Sequence, residues 1–247
     1  MTSTGPLFAV VIPAKQESAV VVRSLTHLRS VRESTDPEFE TIIVDGESAD
    51  DTAALAAGLA DRVIVEPPYV PGAIAHARNT GAAASGAPFI FHTDADVIAP
   101  DLPGLLARVL QLFEDPDVVA VTAAVMPYPS SATTRDQVFH RAGNAYFRMC
   151  ARFGVFFARG ECQVVRRSAF EAVGGYNVNF VSGEDCDLFQ RLHRIGRIVY
   201  LRDFCVYHSP RRFHQLGYAR VLGIYIREWL WMTVMRKSYV DQWRVVR

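Results

Sequence analysis

Neither sign of charge dominates this chain. Lys plus Arg and Asp plus Glu are 26 each over 247 residues, so no whole-molecule field draws it onto nucleic acid, and phosphate recognition has to be local. No Cys-x-x-Cys pair occurs. Cys150, Cys162, Cys186 and Cys205 are widely spaced, which removes the usual zinc and redox signatures and leaves reduced thiols in a cytoplasmic protein as the simplest reading. No basic segment followed by a long apolar run opens the sequence, so a secretion signal is not expected. Nor is there an unbroken apolar stretch of the about 20 residues that a bilayer requires, because residues 216–235 carry Arg220, Arg227 and Glu228. Finally, no Gly-x-Gly-x-x-Gly follows an apolar strand, which counts against a dinucleotide-dependent oxidoreductase.

What the chain does have is a composition that is half hydrophobic, enough to bury a large core as one domain over residues 1–247. Residues 7–12 form an apolar, β-branched run stopped by Pro13, the pattern of a strand covered on both faces. Residues 41–44, 63–65, 89–91 and 118–121 repeat it, separated by Ala- and Leu-rich segments that suit helices. The alternation predicts an α/β fold with a mostly parallel sheet, whose ligands bind beyond the carboxyl ends of the strands. A turn-prone break at Pro127-Tyr128-Pro129-Ser130-Ser131 separates residues 1–126 from residues 127–247. Beyond it the pattern predicts a helix over 135–153, a strand over 162–165, a turn at Gly174-Gly175, a helix over 185–195 and a long helix after Gly217.

Chemistry is expected just after the strands. Thr93-Asp94-Ala95-Asp96 follows the run Phe89-Ile90-Phe91, and two carboxylates one residue apart in a turn can converge on a divalent cation that neutralises a diphosphate. The competing reading is an Asx-turn or a cap for a helix starting near Leu102. Asp45 ends the second strand, where its carboxylate can accept from a nucleobase imide or a ribose hydroxyl. Asp50 with Thr52 reads as the cap of a helix reaching Leu59. In Ala77-Arg78-Asn79-Thr80-Gly81 small residues let a helix approach the sheet, and Arg78 either reaches a phosphate with its fork of donors or is a surface arginine.

Taken in order, Val11-Ile12-Pro13-Ala14-Lys15-Gln16-Glu17, the Asp45 turn, Ala77-Arg78-Asn79, Asp94-Ala95-Asp96 and Gly183-Glu184-Asp185 resemble glycosyltransferase family 2. The resemblance covers residues 7–208, with Gln16 standing where many relatives carry Asn. It implies the GT-A fold, a Rossmann-like sheet flanked by helices, and transfer of a sugar from a nucleoside diphosphate (UDP or GDP) to an acceptor hydroxyl on a saccharide, small molecule or lipid-linked group. Pro13, Ala14, Glu17 and Asp45 would then line the nucleoside pocket. Arg78 would lie near the diphosphate, and Asp94 and Ala95 near the ribose or metal. Asp96 would be a metal ligand, completed by His208 in Val206-Tyr207-His208-Ser209-Pro210-Arg211-Arg212. Oxygen ligands suit Mg²⁺, and an imidazole tilts the choice toward Mn²⁺.

The resemblance makes Asp185 the base of an inverting transfer and Glu184 its neighbour that positions the acceptor, although a retaining outcome stays open. The local alternative is a capping pair of Ser182 with Asp185. Gly160 and Glu161 would line the sugar pocket. Arg211 and Arg212 would meet donor or acceptor phosphate, or form a solvated basic turn. His92 reads as a packed core histidine and Cys162 as a small packed residue. Trp229, Trp231, Met232 and Met235, followed by Arg236 and Lys237, form a stripe suited to a peripheral contact with the inner face of a membrane, to core closure, or to a homodimer. A sugar-nucleotide pyrophosphorylase is the nearest rival, but its glycine-rich first loop is missing; a non-catalytic nucleotide or glycan-binding module is the other.

Overall fold

The computed structural model describes residues 5–32, 38–67 and 73–235. Met232's side chain, Arg236 and Lys237 lie outside the described residues. In chain order the elements are β1 (Phe8–Ala14), α1 (Ser18–Arg32), β2 (Phe39–Asp45), α2 (Thr52–Ala57), β3 (Arg62–Val65), α3 (Ala73–Ala83), β4 (Phe89–His92), β5 (Val97–Ile98) and α4 (Leu102–Phe113). They continue with β6 (Val118–Pro127), α5 (Thr134–Ala151), β7 (Gln163–Arg166), α6 (Arg167–Ala172), α7 (Glu184–His193), β8 (Arg197–His208), α8 (Arg211–Leu216) and α9 (Tyr218–Met235).

One eight-stranded sheet runs in the order β3-β2-β1-β4-β7-β6-β8-β5. The pairings β3/β2, β2/β1, β1/β4 and β6/β8 are parallel. The β4/β7, β7/β6 and β5/β8 pairings are antiparallel. The alternation of strand and helix located the parallel half. It did not reveal that β7 inserts between β4 and β6, because strand direction depends on the connection rather than on composition. β6 is also longer than the run 118–121, and β8 was not among the expected strands.

Strands β1 and β2 are buried on both faces, which explains their unbroken apolar runs. On one face Phe8, Val10 and Ile12 pack with Val21 and Leu25 of α1 and Leu105 and Leu106 of α4. On the other, Ala9 and Val11 pack with Ala77 and Ala82 of α3 and Leu188 and Phe189 of α7. Each fully buried Leu, Ile or Phe stabilises by about 1.5–3 kcal/mol, so this two-sided core is what fixes the strand ends. Helix α3 lies so close that a Cβ on Gly81 would come 2.3 Å from Val11 Cγ1. That approach carries Arg78, one turn earlier, under the ends of the strands.

Two expected caps differ. Helix α2 ends at Ala57, and its N-cap Asp51 makes no side-chain cap bond. Asp50 instead accepts from Thr52 N at 3.2 Å and from Ser18 N at 3.3 Å, tying the β2–α2 turn to the start of α1. Helix α7 begins after Gly183, in the left-handed region at φ 78°, with no side-chain cap bond, so Ser182 and Asp185 are not a capping pair. Among the described residues no helix is long and apolar enough to cross a membrane.

Candidate active site

The turn after β4 is held from three sides. Thr93 Oγ1 donates to the Glu161 carbonyl at 2.8 Å, Ser24 Oγ to the Ala95 carbonyl at 2.7 Å, and Tyr128 Oη to the Asp96 carbonyl at 2.7 Å. With its carbonyls engaged, the turn presents the side chains of Asp94 and Asp96. The helix-cap alternative for this pair fails, because Asp101 does that work, accepting from Gly104 N at 3.0 Å.

Arg78 is neither at the surface nor open to a phosphate. It is 2 % exposed, Nη1 donates to Glu184 Oε1 at 2.8 Å, and Nη2 donates to Asp94 Oδ1 at 2.9 Å. Its guanidinium lies over the Tyr176 ring, and Tyr176 Oη donates to Gln163 Oε1 at 2.5 Å. Gly160 makes room for this arrangement: a Cβ there would stand 2.2 Å from Arg78 Nη2. Arg78 thus joins the turn after β4 to the first turn of α7, although the two are far apart in sequence.

At that first turn Glu184 is buried, while Asp185 is half-buried with Oδ1 accepting from its neighbour's N–H, Cys186 N, at 2.7 Å. Burial raises both carboxyl groups above their ordinary range, and Arg78 counters this for each. The negative charge of Asp185 adds to the rise at Glu184. The helix dipole favours carboxylates at this end.

On the other side, Arg211 opens α8 and its Nη2 contacts both oxygens of Glu17, at 2.7 and 2.8 Å, and Asp96 Oδ2 at 3.4 Å. Arg212 is half-buried in the fields of Arg211, Asp96 and Glu161, so the pair is not a solvated basic turn. Desolvation lifts Asp96 to about 7, despite Arg211. It also lifts Asp94 despite Arg78 and Glu17 despite Arg211. This wall is short of positive charge.

His208 ends β8, where its Cα stands opposite Val97, next to Asp96. Its Nδ1 is 3.2 Å from Glu161 Oε1, and its Nε2 is 2.7 Å from His140 Nε2. Burial lowers His208 to about 3 and His140 to about 4, so both rings are neutral. His140 Nδ1 faces the Asp136 carbonyl at 2.8 Å, which can only accept. His140 therefore carries its proton on Nδ1 and accepts at Nε2; His208 donates from Nε2 and turns a bare Nδ1 toward a carboxylate. Two acceptors face each other, an arrangement relieved by a shared cation.

Oxygen-rich, underneutralised and ending in a bare imidazole nitrogen, this donor set fits a hard or borderline divalent ion. As they stand, no three or more His, Cys, Asp or Glu groups among the described residues are gathered closely enough to hold a metal.

The loops after β1 and β2 form the remaining wall. Buried Asp45 accepts from Ser48 N at 2.8 Å and from Ser48 Oγ at 2.5 Å, and Ser48 Oγ accepts from Gln16 N at 2.7 Å. Thr52 Oγ1 accepts from Glu17 N at 2.9 Å, and Lys15 Nζ donates to the Glu47 carbonyl at 2.7 Å. Gln16 and Glu47 hold φ of 58° and 56°, a costly region for residues with side chains, and one that Asn tolerates better than Gln. Pro13 and Ala14 stand at the end of β1, Ala14 registered opposite Asp45.

The sequence reading missed Tyr128, Asp136 and His140. The spacing of Asp136 and His140, four apart on a helix, was a signal that they share a face. Their partners Tyr218, His214 and His208 lie in segments too remote to be linked by pattern. His92 is a neutral core histidine packed between Phe170 and Tyr176, and Cys162 is fully buried.

The family model described as "Glycosyl transferase family 2" matches residues 9–174. The chain belongs to glycosyl transferase family 2. Its relatives include a beta-monoglucosyldiacylglycerol synthase of Synechocystis sp., 29% identical over 248 residues, covering 92% of this chain and 50% of that protein. The chain spans about half the length of the curated relatives it matches. Among solved structures it resembles a mannosyltransferase from Pyrobaculum calidifontis in complex with GDP-Man and Mn2+, with TM-score 0.63, 20% identity and coverage of 91% of this chain and 65% of that one. It also resembles a glucosyl-3-phosphoglycerate synthase from Mycobacterium tuberculosis in complex with Mn2+ and UDP, with TM-score 0.58, 20% identity and coverage of 94% and 80%. The fold of this family 2 chain is GT-A, as its motifs implied.

Proposed function

We propose that this family 2 chain is a metal-dependent glycosyltransferase that moves a sugar from UDP or GDP to an acceptor hydroxyl with inversion. The observation that carries this reading is the Arg78 bridge, which joins Asp94 on the turn after β4 to Glu184 beside Asp185. Asp96 and His208 would hold Mn²⁺ or Mg²⁺, with Asp94 near the ribose or metal; when bound, the ion supplies positive charge to the leaving diphosphate. Pro13, Ala14, Glu17 and Asp45 receive the nucleoside, Ala95 backs the ribose, and Gly160 and Glu161 face the sugar. Arg211, already paired with Glu17 and Asp96, exchanges those carboxylates for phosphate oxygens with Arg212 beside it. Arg78 holds Glu184 and Asp94 in place rather than binding phosphate.

In the chemical step the acceptor oxygen attacks the anomeric carbon from the side opposite the diphosphate. Asp185 takes the hydroxyl proton as the carbon–oxygen bond to the diphosphate breaks, and Glu184 orients the acceptor. We infer a lipid-linked acceptor met at the inner face of a membrane. Support comes from the diacylglycerol named in the relative and from Leu222, Ile226 and Leu230, which α9 leaves exposed.

A thermal-shift panel of UDP, GDP and their sugars with Mn²⁺ tests the donor assignment. At a hundredfold excess over Kd one nucleotide series should raise Tm by about 5–10 °C. A flat response to every nucleotide, with or without the ion, would sink it. For His140, replacement by Leu should release the His208 tautomer, visible in imidazole ¹⁵N shifts of the metal-free protein. Mn²⁺ affinity in the presence of nucleotide should then fall by about 10–100-fold, the usual effect of losing such a partner. His140→Gln, which can still accept from His208, should recover most of it. Unchanged ¹⁵N shifts in His140→Leu would remove the positioning role.

A further inference from the structure

Arg148 lies in the last turn of α5 and Arg152 follows one turn later at its C-cap, and Arg202 of β8 lies beside them. With Ala145 and Met149 they line an open cavity of about 320 Å³. Among the described residues none of the three makes an ion pair, unlike Arg191 and Arg197, which pair with Asp187 and Asp115. Three like charges around one hollow repel one another, and among the described residues no ion pair compensates them. Met149, which lines the hollow, is 49% exposed, and Tyr146 and Phe153, next in sequence to Ala145 and Arg152 of its lining, are 51% and 80% exposed. Phe157 continues this surface, its ring 6.0 Å from Tyr146 and 6.0 Å from Trp229 of α9, itself 41% exposed. A cationic hollow lined by Met149, with exposed aromatic side chains on residues adjacent in sequence to its lining, matches the headgroup level of a bilayer, where phosphate lies beside acyl chains.

We propose that Arg148, Arg152 and Arg202 form a binding site for the phosphate of an anionic phospholipid, and that Tyr146, Met149, Phe153 and Trp229 enter the bilayer interface around it. The charge pattern selects this occupant over a second copy of the chain, because the same three arginines would meet themselves across a two-fold contact unless an acidic patch faced them. The inference deepens the lipid-linked acceptor reading and rests on it only for its purpose. Vesicle binding without donor, metal or turnover tests it separately: a chain that binds vesicles but transfers nothing would sink the transfer reading and leave this one standing.

The experiment is co-sedimentation of the full chain with sucrose-loaded vesicles of phosphatidylcholine alone or with about 30% phosphatidylglycerol, in the range of a charged leaflet. Each basic side chain at such a surface is worth about fivefold in partitioning, the equivalent of about 1 kcal/mol. Arg148→Gln/Arg152→Gln/Arg202→Gln should therefore lower binding to the anionic vesicles by about a hundredfold and leave the circular dichroism spectrum unchanged. Arg29→Gln/Arg108→Gln/Arg194→Gln, of equal net charge but on other exposed surfaces, should bind within about threefold of the parent. Met149→Ser/Phe153→Ser should weaken binding to both vesicle types. Millimolar inorganic phosphate should not displace the chain from anionic vesicles; full displacement would assign the site to free phosphate. Equal loss in the two arginine sets, no binding by the parent chain, or a change of oligomeric state in place of a change in vesicle binding would overturn the proposal.

Discussion

Asp185→Asn should lower kcat for sugar transfer by about a thousandfold, within the range that a positioned base contributes, while donor affinity in the presence of Mn²⁺ stays within about threefold. The substitution keeps the shape and the acceptor of the Cys186 N–H bond but removes the charge proposed to receive the proton. The parent enzyme should show an acid limb in kcat above the ordinary aspartate range, because burial raises the pKa of Asp185 and the base must be ionised. Activity is therefore gained as pH rises through that value and lost as it falls. The amide of the Asp185→Asn variant does not titrate there, so its residual rate should lack the limb. Initial rates from pH 5 to 9, with donor affinity from calorimetry, check both statements; an equal collapse of donor binding would show that residue 185 holds the nucleotide.

Arg78→Met should have the largest effect on folding. It leaves Glu184 and Asp94 without the cation that bridges them, and breaking a buried pair by removing one partner costs about 3–5 kcal/mol. The pH dependence has a definite sign. Burial raises the folded-state pKa of Glu184, so its contribution to stability is full below the unfolded value and lost as pH rises through the folded one. Without Arg78 the folded value moves above the parent's value of about 8, so the Glu184 part of the penalty should be small near pH 4.5 and develop only as pH rises past 8, lowering Tm by about 10 °C near pH 9.5. Urea melts at the two pH values measure it. The same loss at both would mean that Arg78 acts through packing over Tyr176 and not through charge.

Much of the sheet and some of the site were legible in the sequence, for reasons that differ by residue. Strands β1 and β2 announce themselves because a strand covered on both faces has to be apolar throughout. Asp94 and Asp96 could be singled out because they follow an apolar strand one residue apart, and Asp185 because Gly183-Glu184-Asp185 resembles family 2. Arg78 was found but misplaced. Its neighbours Ala77, Asn79 and Gly81 show a helix pressed on the sheet, yet nothing local tells that Glu184, 106 residues away, will claim its Nη1. His140 was missed for the same reason: a histidine within a polar helix carries no mark of the second histidine that closes on it from β8. The position of β7 between β4 and β6 was equally hidden, since short apolar runs do not record which neighbour they choose.

Arg211 gives the pocket a reciprocal economy of ligands. One guanidinium nitrogen is shared by Glu17 and Asp96, so an anion that lures it away frees carboxylate oxygens on both of them at once. Under the proposed function, nucleotide and cation would in this way be thermodynamic allies. Each should tighten the grip on the other by the same factor, and neither alone should bind as firmly as the couple.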